Sequence, residues 1–311
     1  MCGSTIPAAL KEMTVLNMIL LFDCFVSGTI PAGLDALTDM HIFNMWNVSI
    51  SGTMPPEMGK LTDLQAFNVA NSKVTGFLPD EYNNFPVLDH FMMHGNEMSG
   101  TLPQLGPLSL AKVVYLGGNK MSGTLHAEMF DTMVSLEQFD LYNSQVSGTL
   151  PPSLAKQSNL EQFAIRGNKL SGTIPASWGL LGSSKLTSLD IHGNSISGTI
   201  PSAISVFSEL TFLWLGNNPI TGQIPDGLGL LTRLHDLDLT DTQLVGALPG
   251  MCELTNLTGH CLLAPNPAWV DGAMCSKCLE TSPCYNATSH AHAPVTCTGP
   301  AMAMVDAPSE D

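Results

Sequence analysis

The chain has 311 residues, of which 44% are hydrophobic, and its 27 acidic side chains outnumber its 11 basic ones to give a formal net charge of −16. This charge argues against a nucleic acid partner and against binding to an anionic membrane surface. The longest mostly apolar stretch, from Val15 to Phe22, is shorter than the about 20 residues of a transmembrane helix, so we expect no membrane span in this chain.

A pentapeptide of the form Ser-Gly-Thr-x-Pro recurs from Ser27 onward. Its glycine, or that of a close variant, returns every 23 to 26 residues, at Gly28, Gly52, Gly76, Gly100, Gly123, Gly148, Gly172, Gly198, Gly222 and Gly246. Apolar residues precede each glycine in the pattern LxxLxLxxN, which predicts a short strand and a turn. A single coil cannot bury its inward side alone, so stacked coils share a core. We therefore predict an α/β repeat solenoid of about ten coils over residues 1–250.

The residue four positions before each glycine predicts a row of inward side chains, one per coil, here called the ladder. It holds Cys24, Val48, Ser72, Asn96, Asn119, Ser144, Asn168, Asn194, Asn218 and Thr242. Buried polar side chains there can pair backbone groups of the turn. Val48 cannot, so we expect its turn to be the least regular unless Asn47 or water rescues it. The glycine and the proline predict that the pentapeptide is a corner of each coil.

The full motif LxxLxLxxNxLSGxIPxxLGxL, matched at Leu160 to Leu181 and Leu210 to Leu231, resembles the plant-type leucine-rich repeat of receptor ectodomains and polygalacturonase-inhibiting proteins. The Ser-Gly-Thr-Leu-Pro form is also similar to Leishmania-type surface antigens and proteophosphoglycans. The resemblance implies a right-handed superhelix with a parallel sheet on its concave face, and recognition of a protein or glycan ligand without catalysis or cofactor. Two departures from the plant pattern, an absent paired-cysteine N-terminal cap and a different C-terminal cysteine spacing, indicate a fragment or a lineage with its own caps.

The repeat ends near residue 250, and cysteines follow. We predict a disulfide-bonded cap over residues 251–285 and a flexible tail over 286–311, which could lead to an anchor beyond this sequence. The predicted disulfide cysteines are Cys252, Cys261, Cys275, Cys278, Cys284 and Cys297, with fifteen possible pairings. Zinc is the weaker interpretation because a second ligand pair is missing. Cys24 is a free core thiol or a partner of Cys2.

Three sequons predict glycosylation at Asn47, Asn256 and Asn286. Together with the clustered cysteines they favour an oxidising compartment. We expect a secreted or cell-surface protein.

Ligand-binding residues are expected among the outward strand positions, where the repeats differ. The candidates are Trp46, Tyr115, Tyr142, Arg166, His192 and Trp214. Aromatic and arginine side chains anchor interfaces, whereas four aspartates nearby, Asp140, Asp190, Asp236 and Asp238, are interpreted mainly as a solvated acidic face. His90 and His94 are expected to be surface histidines, too far apart for one metal. No catalytic or metal-binding constellation is found.

Two features at these surfaces leave alternatives open. Met18, Leu20 and Phe22 would all face solvent in the first coil, so a missing segment, a partner chain or a ligand covers them, or the register there is wrong. The threonines of the corner could form a regular row with a structural coat or ice-binding role. They are Thr5, Thr29, Thr53, Thr101, Thr124, Thr149, Thr173 and Thr199.

Overall fold

The structure, a computed structural model, describes residues 5–106, 108–180, 185–245, 254, 256–257 and 261–262. Eleven short parallel strands, each from a successive coil, form its largest sheet. They are β1 (Met18–Leu20), β3 (Ile42–Asn44), β5 (Ala66–Asn68), β7 (His90–Met92), β9 (Val113–Tyr115), β11 (Gln138–Asp140), β13 (Gln162–Ala164), β15 (Ser188–Asp190), β16 (Phe212–Trp214), β18 (Asp236–Asp238) and β20 (Cys261–Leu262). The predicted α/β repeat solenoid is confirmed.

A second strand follows the turn in most coils and pairs with its neighbours in three smaller parallel sheets. The first contains β2 (Ser27–Thr29), β4 (Ser49–Thr53), β6 (Lys73–Gly76) and β8 (Glu97–Met98). The second contains β10 (Ser122–Thr124), β12 (Gln145–Thr149) and β14 (Lys169–Ser171), and the third contains β17 (Thr221–Gln223) and β19 (Gln243–Val245). These strands include the repeated pentapeptide, which lies at a corner of each coil as predicted.

The return path of each coil is mostly a 3-10 turn rather than an α-helix. The 3-10 helices are Ala8–Glu12, Leu34–Ala36, Pro56–Lys60, Asp80–Asn84, Pro152–Lys156, Ala176–Leu180, Ser202–Val206 and Asp226–Leu230, and the α-helix α1 is Met129–Thr132. Proline before or within the first turn of several of these segments fixes the backbone where the chain enters them. Within the described ranges, no helix has the length and apolar character needed to cross a membrane.

The core between the strands and the return path is continuous and rich in aromatic rings. Phe43 and Phe67, on adjacent strands, stack with ring centroids 5.4 Å apart, and the buried hydroxyl of Tyr82 donates to the carbonyl oxygen of Pro55 at 3.0 Å. The indole of Trp178 makes the equivalent bond to Pro151 at 3.0 Å. The polar atoms of these two core rings, Tyr82 and Trp178, are therefore paired.

The asparagine ladder is confirmed. In Asn194, for example, Nδ2 donates to the carbonyls of Ile165 and Ile191 at 3.1 and 3.0 Å, and Oδ1 accepts the N–H of Leu170 at 3.1 Å. The same double role is played by Asn96, Asn119, Asn168 and Asn218. Each amide thus ties the backbone of two coils together.

The residue before each ladder position is left-handed in every coil, which the sequence analysis did not anticipate. Positive φ angles between 46° and 67° are found at Asp23, Asn47, Asn71, Gly95, Gly118, Asn143, Gly167, Gly193, Asn217 and Asp241. Only glycine, asparagine and aspartate occupy this site, as expected for residues that tolerate φ above zero. The Val48 turn therefore has the same left-handed residue as the other coils, and it is Asn47, one of the two expected rescues, that supplies it.

The pentapeptide interlocks successive coils. Ser197 Oγ donates to the carbonyl of Gly172 in the preceding coil at 3.1 Å. The methyl of Thr173 lies 2.8 Å from where a β-carbon on Gly198 would stand, and Gly198 has a φ of +77°. The glycine is therefore needed for its backbone conformation and for the space that the threonine methyl occupies.

Most of the predicted cap, 251–285, and all of the tail, 286–311, lie outside the described residues. Within the cap, the backbone of β20 pairs with β18, so the main sheet includes a strand beyond residue 250. The predicted cysteine cross-links and the sequon at Asn286 stay predictions. In the described part of the chain, Cys24 has a free, half-buried thiol that packs against the core. Its alternative partner, Cys2, is outside that part.

Candidate functional site

The outward side of the eleven-stranded sheet, here called the strand face, carries three outward positions per coil. In the coil of β11 these are Gln138, Asp140 and Tyr142, whereas Phe139 and Leu141 point into the core. In the first coil the side chains of Met18, Leu20 and Phe22 are exposed on this face. The register predicted there is confirmed, and a cover for these side chains stays a prediction.

The second outward position forms a turn-stabilising bond in several coils. Oδ1 of Asp140, Asp190 and Asp238 accepts the backbone N–H two residues later at 2.9, 3.1 and 2.9 Å. Asn44 and Asn68 make the same bond at 3.1 and 3.0 Å. These aspartates are thus partly structural. The predicted solvated acidic face is wrong for Asp190, Asp236 and Asp238, which are buried, whereas Asp140 is half-buried.

Tyr142, Arg166 and Asp190 form a connected cluster across three coils. The guanidinium carbon of Arg166 lies 5.1 Å from the centroid of the Tyr142 ring, within cation–π range. Arg166 Nη1 also donates to Asp190 Oδ2 at 3.2 Å. Since both partners hold the arginine, its guanidinium is positioned on the strand face before any ligand arrives.

His192 reaches across two coils to Asp238. Its Nδ1 lies 3.0 Å from Asp238 Oδ2, and the intervening coil contributes Gly216 at the equivalent position. A β-carbon on Gly216 would stand 2.6 and 2.7 Å from the two carboxylate oxygens of Asp238. The absence of a side chain at Gly216 is therefore what permits the contact.

Burial and pairing shift the pKa values of these groups in different directions. Burial raises the pKa of Asp140 to about 7 and that of Asp190 to about 6, although Arg166 opposes both shifts. The hydrogen bond to Asp238 raises the pKa of His192 above its usual value. Burial alone would raise the pKa of Asp238, but the bonds from His192 and Thr240 lower it below its usual value. His192 and Asp238 thus favour the ionised pair.

Trp214 lies between Asp190 and Asp238 in the register of the sheet. It is half-buried, and its ring meets that of Phe212 edge to face at 6.1 Å. Tyr142, Arg166, His192 and Trp214, four of the six predicted residues, therefore share one continuous surface. We call this surface, which also includes Asp140, Asp190 and Asp238, the C-terminal patch.

Tyr115 borders the C-terminal patch, whereas Trp46 lies apart. Tyr115 is paired with Asp140 in the register, and its hydroxyl donates to Gln138 Oε1. Burial raises the pKa of Tyr115 to about 12. Trp46 belongs to the second coil, three coils before Tyr115, at roughly 4.8 Å per coil.

His94 is not a surface residue as the sequence suggested. It is 3% exposed, and both of its ring nitrogens lack a hydrogen-bond partner among the described residues. The imidazole packs edge to face against the Tyr115 ring at 5.7 Å between centroids. Burial lowers the pKa of His94 to about 4, so it is neutral at neutral pH. The strand period gave no signal of this burial, because it places His94 at an outward position.

The threonine row lies at the corners, and its side chains are exposed. Their methyl groups, however, approach the glycine of the next coil, as in Thr29 toward Gly52 and Thr149 toward Gly172. Phe77 interrupts the row and Gln223 ends it. The row's methyl groups therefore serve the packing of the coils.

The predicted sequon at Asn47 has a structural role of its own. Its Nδ2 donates to Asp23 Oδ1 in the preceding coil at 2.7 Å, and its φ is 52°. Nδ2 of Asn256 donates to the carbonyl of Thr232 at 2.7 Å. Both side chains are exposed, and glycosylation at either stays a prediction.

The sequence profile of the Leucine Rich Repeat matches residues 185–207 and 209–231. No curated protein sequence matches the chain significantly. Among solved structures, the plant peptide hormone receptor RGFR1 in complex with RGF2 shares 28% identity over 82% of this chain and 44% of that one, with a TM-score of 0.72. The ectodomain of the Arabidopsis receptor kinase HAESA in complex with an extended IDA peptide hormone shares 26% identity over 85% and 52%, with a TM-score of 0.62.

A plant ice-binding protein is also similar, at 24% identity over 79% of this chain and 71% of that one, with a TM-score of 0.56. At this identity the likeness concerns the fold alone. The chain spans about half the length of the two receptor ectodomains. The coil geometry, the ladder and these matches lead to one conclusion: the chain folds as a leucine-rich-repeat solenoid that resembles plant receptor ectodomains.

Proposed function

We propose that this chain is an extracellular recognition module that binds a peptide or protein ligand on the C-terminal patch of its strand face. The observation that carries the proposal is the connected arrangement of Tyr142, Arg166, Asp190, His192 and Asp238, with Trp214 beside it. Aromatic and guanidinium groups held in place by neighbours lose little conformational entropy on binding. Such residues are also enriched among those that dominate interface energies.

Similarity to known proteins supports the same proposal. The two receptors above were solved with peptide hormones bound, which makes a peptide or protein the best-supported ligand class for this chain. The comparisons lend no support to a glycan ligand. An extracellular or cell-surface location agrees with the ectodomain neighbours and forms part of the proposal, which assigns no catalytic role.

A displayed library of random linear peptides, selected on the full chain, supplies a ligand whose affinity calorimetry can measure. We expect Arg166→Gln combined with Trp214→Ala to weaken binding by about tenfold or more, because both side chains are partly exposed on the patch. The matched controls are Arg233→Gln, an exposed arginine elsewhere, and Phe77→Thr, which restores the threonine found at other corners. If the patch variant binds as tightly as the controls, the proposed surface is wrong.

The threonine row is the alternative, with a structural coat or ice-binding role. Its regular spacing favours it, but the use of its methyl groups in coil packing leaves less of each side chain for an ice surface. The ice-binding alternative would be established if the full chain shows thermal hysteresis and the double variant Thr149→Val, Thr173→Val does not. A chain without thermal hysteresis would remove the ice-binding role.

A further inference from the structure

The negative charge of Asp140 is not needed for the turn it stabilises. Its Oδ1 accepts the N–H of Tyr142, and Asn44 and Asn68 perform the same task in earlier coils with a neutral amide. An asparagine would therefore serve the backbone at position 140. The carboxylate is the costlier choice, since burial disfavours a charge.

Asp140 also differs from the other two turn-stabilising aspartates. Asp190 is paired with Arg166, and Asp238 is paired with His192. Asp140 has no ion pair among the described residues, and its second oxygen has no hydrogen-bond partner there. A carboxylate on a binding surface with an unused oxygen and no counter-charge is suited to a cationic group.

The surroundings of Asp140 suit a cation as well. Gly117, one coil earlier, lets Tyr142 pack close to Asp140: a β-carbon there would lie 2.8 Å from Asp140 Oδ1 and would overlap the Tyr142 ring, which fills that space. Tyr115 is the register neighbour of Asp140, so a tyrosine ring stands near each side of the carboxylate. The guanidinium of Arg166 already lies over Tyr142, which shows that this ring accepts a cation.

The remaining titratable neighbours do not neutralise Asp140. His94, next to the Tyr115 ring, is neutral because burial lowers its pKa to about 4, and it offers ring nitrogens without partners. Arg166 lowers the pKa of Asp140 only in part, because it is bonded to Asp190, whose charge acts in the opposite direction. Burial still raises the pKa of Asp140 to about 7, which indicates that nearby groups do not fully compensate for the lost solvation of its carboxylate.

We propose that Asp140, flanked by Tyr115 and Tyr142, is a subsite for a positively charged side chain, an arginine or lysine of the peptide ligand. This inference rests on the proposed function and makes its ligand more specific. A bound cation would hold Asp140 ionised.

The test uses N-acetyl-arginine amide as the probe and N-acetyl-citrulline amide as its neutral counterpart. Each is titrated into the full chain while the backbone amide resonance of Tyr142, whose N–H donates to Asp140, is followed. We expect a saturable shift with the arginine probe that is lost in Asp140→Asn. The matched control, Asp226→Asn, removes an exposed aspartate from the 3-10 helix Asp226–Leu230 and leaves the shift intact.

The pH provides a second readout. Because the pKa of Asp140 is about 7, the arginine probe should bind about tenfold more weakly at pH 6 than at pH 8. A shift of equal size with citrulline, a shift retained in Asp140→Asn, or no shift with arginine would each overturn the subsite.

The two proposals fail in distinguishable ways. In one outcome, a selected peptide loses affinity for the Arg166→Gln, Trp214→Ala variant but binds Asp140→Asn normally, and citrulline can replace its basic residues. The proposed binding surface is then supported and the Asp140 subsite is wrong. In the other outcome, the arginine probe behaves as expected, but the affinity of the selected peptide is the same for the patch variant and the unchanged chain. The subsite is then supported and the proposed function is wrong.

Discussion

The corner glycine of most described coils is constrained twice, by a left-handed backbone and by the threonine methyl of the preceding coil. Gly198 has a φ of +77°, and Thr173 Cγ2 occupies the space of its missing β-carbon. We predict that Gly198→Ala destabilises the chain by about 1–3 kcal/mol, the typical cost of such a strained residue. Urea unfolding monitored by circular dichroism measures the change.

A double-mutant cycle separates the two constraints. Thr173→Ala removes the methyl, so it should recover part of the loss in Gly198→Ala but leave the part due to the backbone. The control is Gly193→Asn, because Gly193 is also left-handed but has no atom closer than 3.5 Å to its missing β-carbon, and asparagine fills the same turn in Asn143 and Asn217. Equal destabilisation by Gly198→Ala and Gly193→Asn would contradict this account.

The half-buried carboxyl of Asp140 should make stability depend on pH in a defined direction. Its pKa is raised to about 7 in the folded chain, so between about pH 4 and pH 7 the folded state retains a proton that the unfolded state releases. This group therefore lowers the free energy of unfolding as pH rises through that window. Asp140→Asn should stabilise the chain more at pH 8 than at pH 5.

The measurement is the urea midpoint of both proteins at both pH values, with the same m-value required. Asp226→Asn, at an exposed site, is the control and should show no such difference. An effect of Asp140→Asn that is the same at pH 5 and pH 8 would show that Asp140 is not held protonated by the fold.

Sequence reasoning placed these residues on the correct face but did not find their pairing. The inward or outward direction of Tyr142 and Arg166 follows from the strand period alone. Their contact with each other and with Asp190 depends on side-chain rotamers and on the distance between coils. The burial of His94 involves the Tyr115 ring of the next coil, and the pattern of a single repeat does not show this contact.

At the scale of the elements, the hydrogen bond between His192 and Asp238 is the clearest contact that skips a coil. It joins the coils of β15 and β18 across β16 because Gly216 has no side chain. We predict that Gly216→Ala displaces the Asp238 carboxylate and lowers the pKa of His192 toward its usual value, since the hydrogen bond to Asp238 is the main cause that raises it.

Nuclear magnetic resonance titration of the His192 ring measures this shift. Asp238→Asn should lower the same pKa without filling the space at Gly216. Gly106→Ala is the matched control, since a β-carbon there would meet only the Thr132 hydroxyl at 3.1 Å. An unchanged pKa of His192 in Gly216→Ala would mean that the bridge does not depend on the glycine.

The elements themselves were largely predictable. Leucine and phenylalanine at period two gave the main strands, and the asparagine at the end of each pattern gave the ladder seen in Asn168 and Asn194. What the pattern could not show is the left-handed residue before the ladder. Its signal was present as the alternation of glycine, asparagine and aspartate at that position, but each residue alone is ordinary in a turn.

At the scale of the whole molecule, the repeat determines the architecture and the differences between repeats determine the surface. The solenoid follows from spacing, because any coil that buries the same inward residues stacks on its neighbour. The C-terminal patch does not follow from spacing, since it arises where Gly117 and Gly216 remove side chains and larger ones from nearby coils occupy the space.

The central claim is that the ligand occupies the C-terminal patch. The most direct test is photo-crosslinking of a selected peptide to the full chain, followed by mass spectrometric mapping of the attachment sites. We predict attachment to outward residues of the coils of β11 to β18, including Tyr142 and Trp214. Attachment concentrated instead on the threonine corners, or on the exposed apolar side chains of the first coil, would contradict the claim.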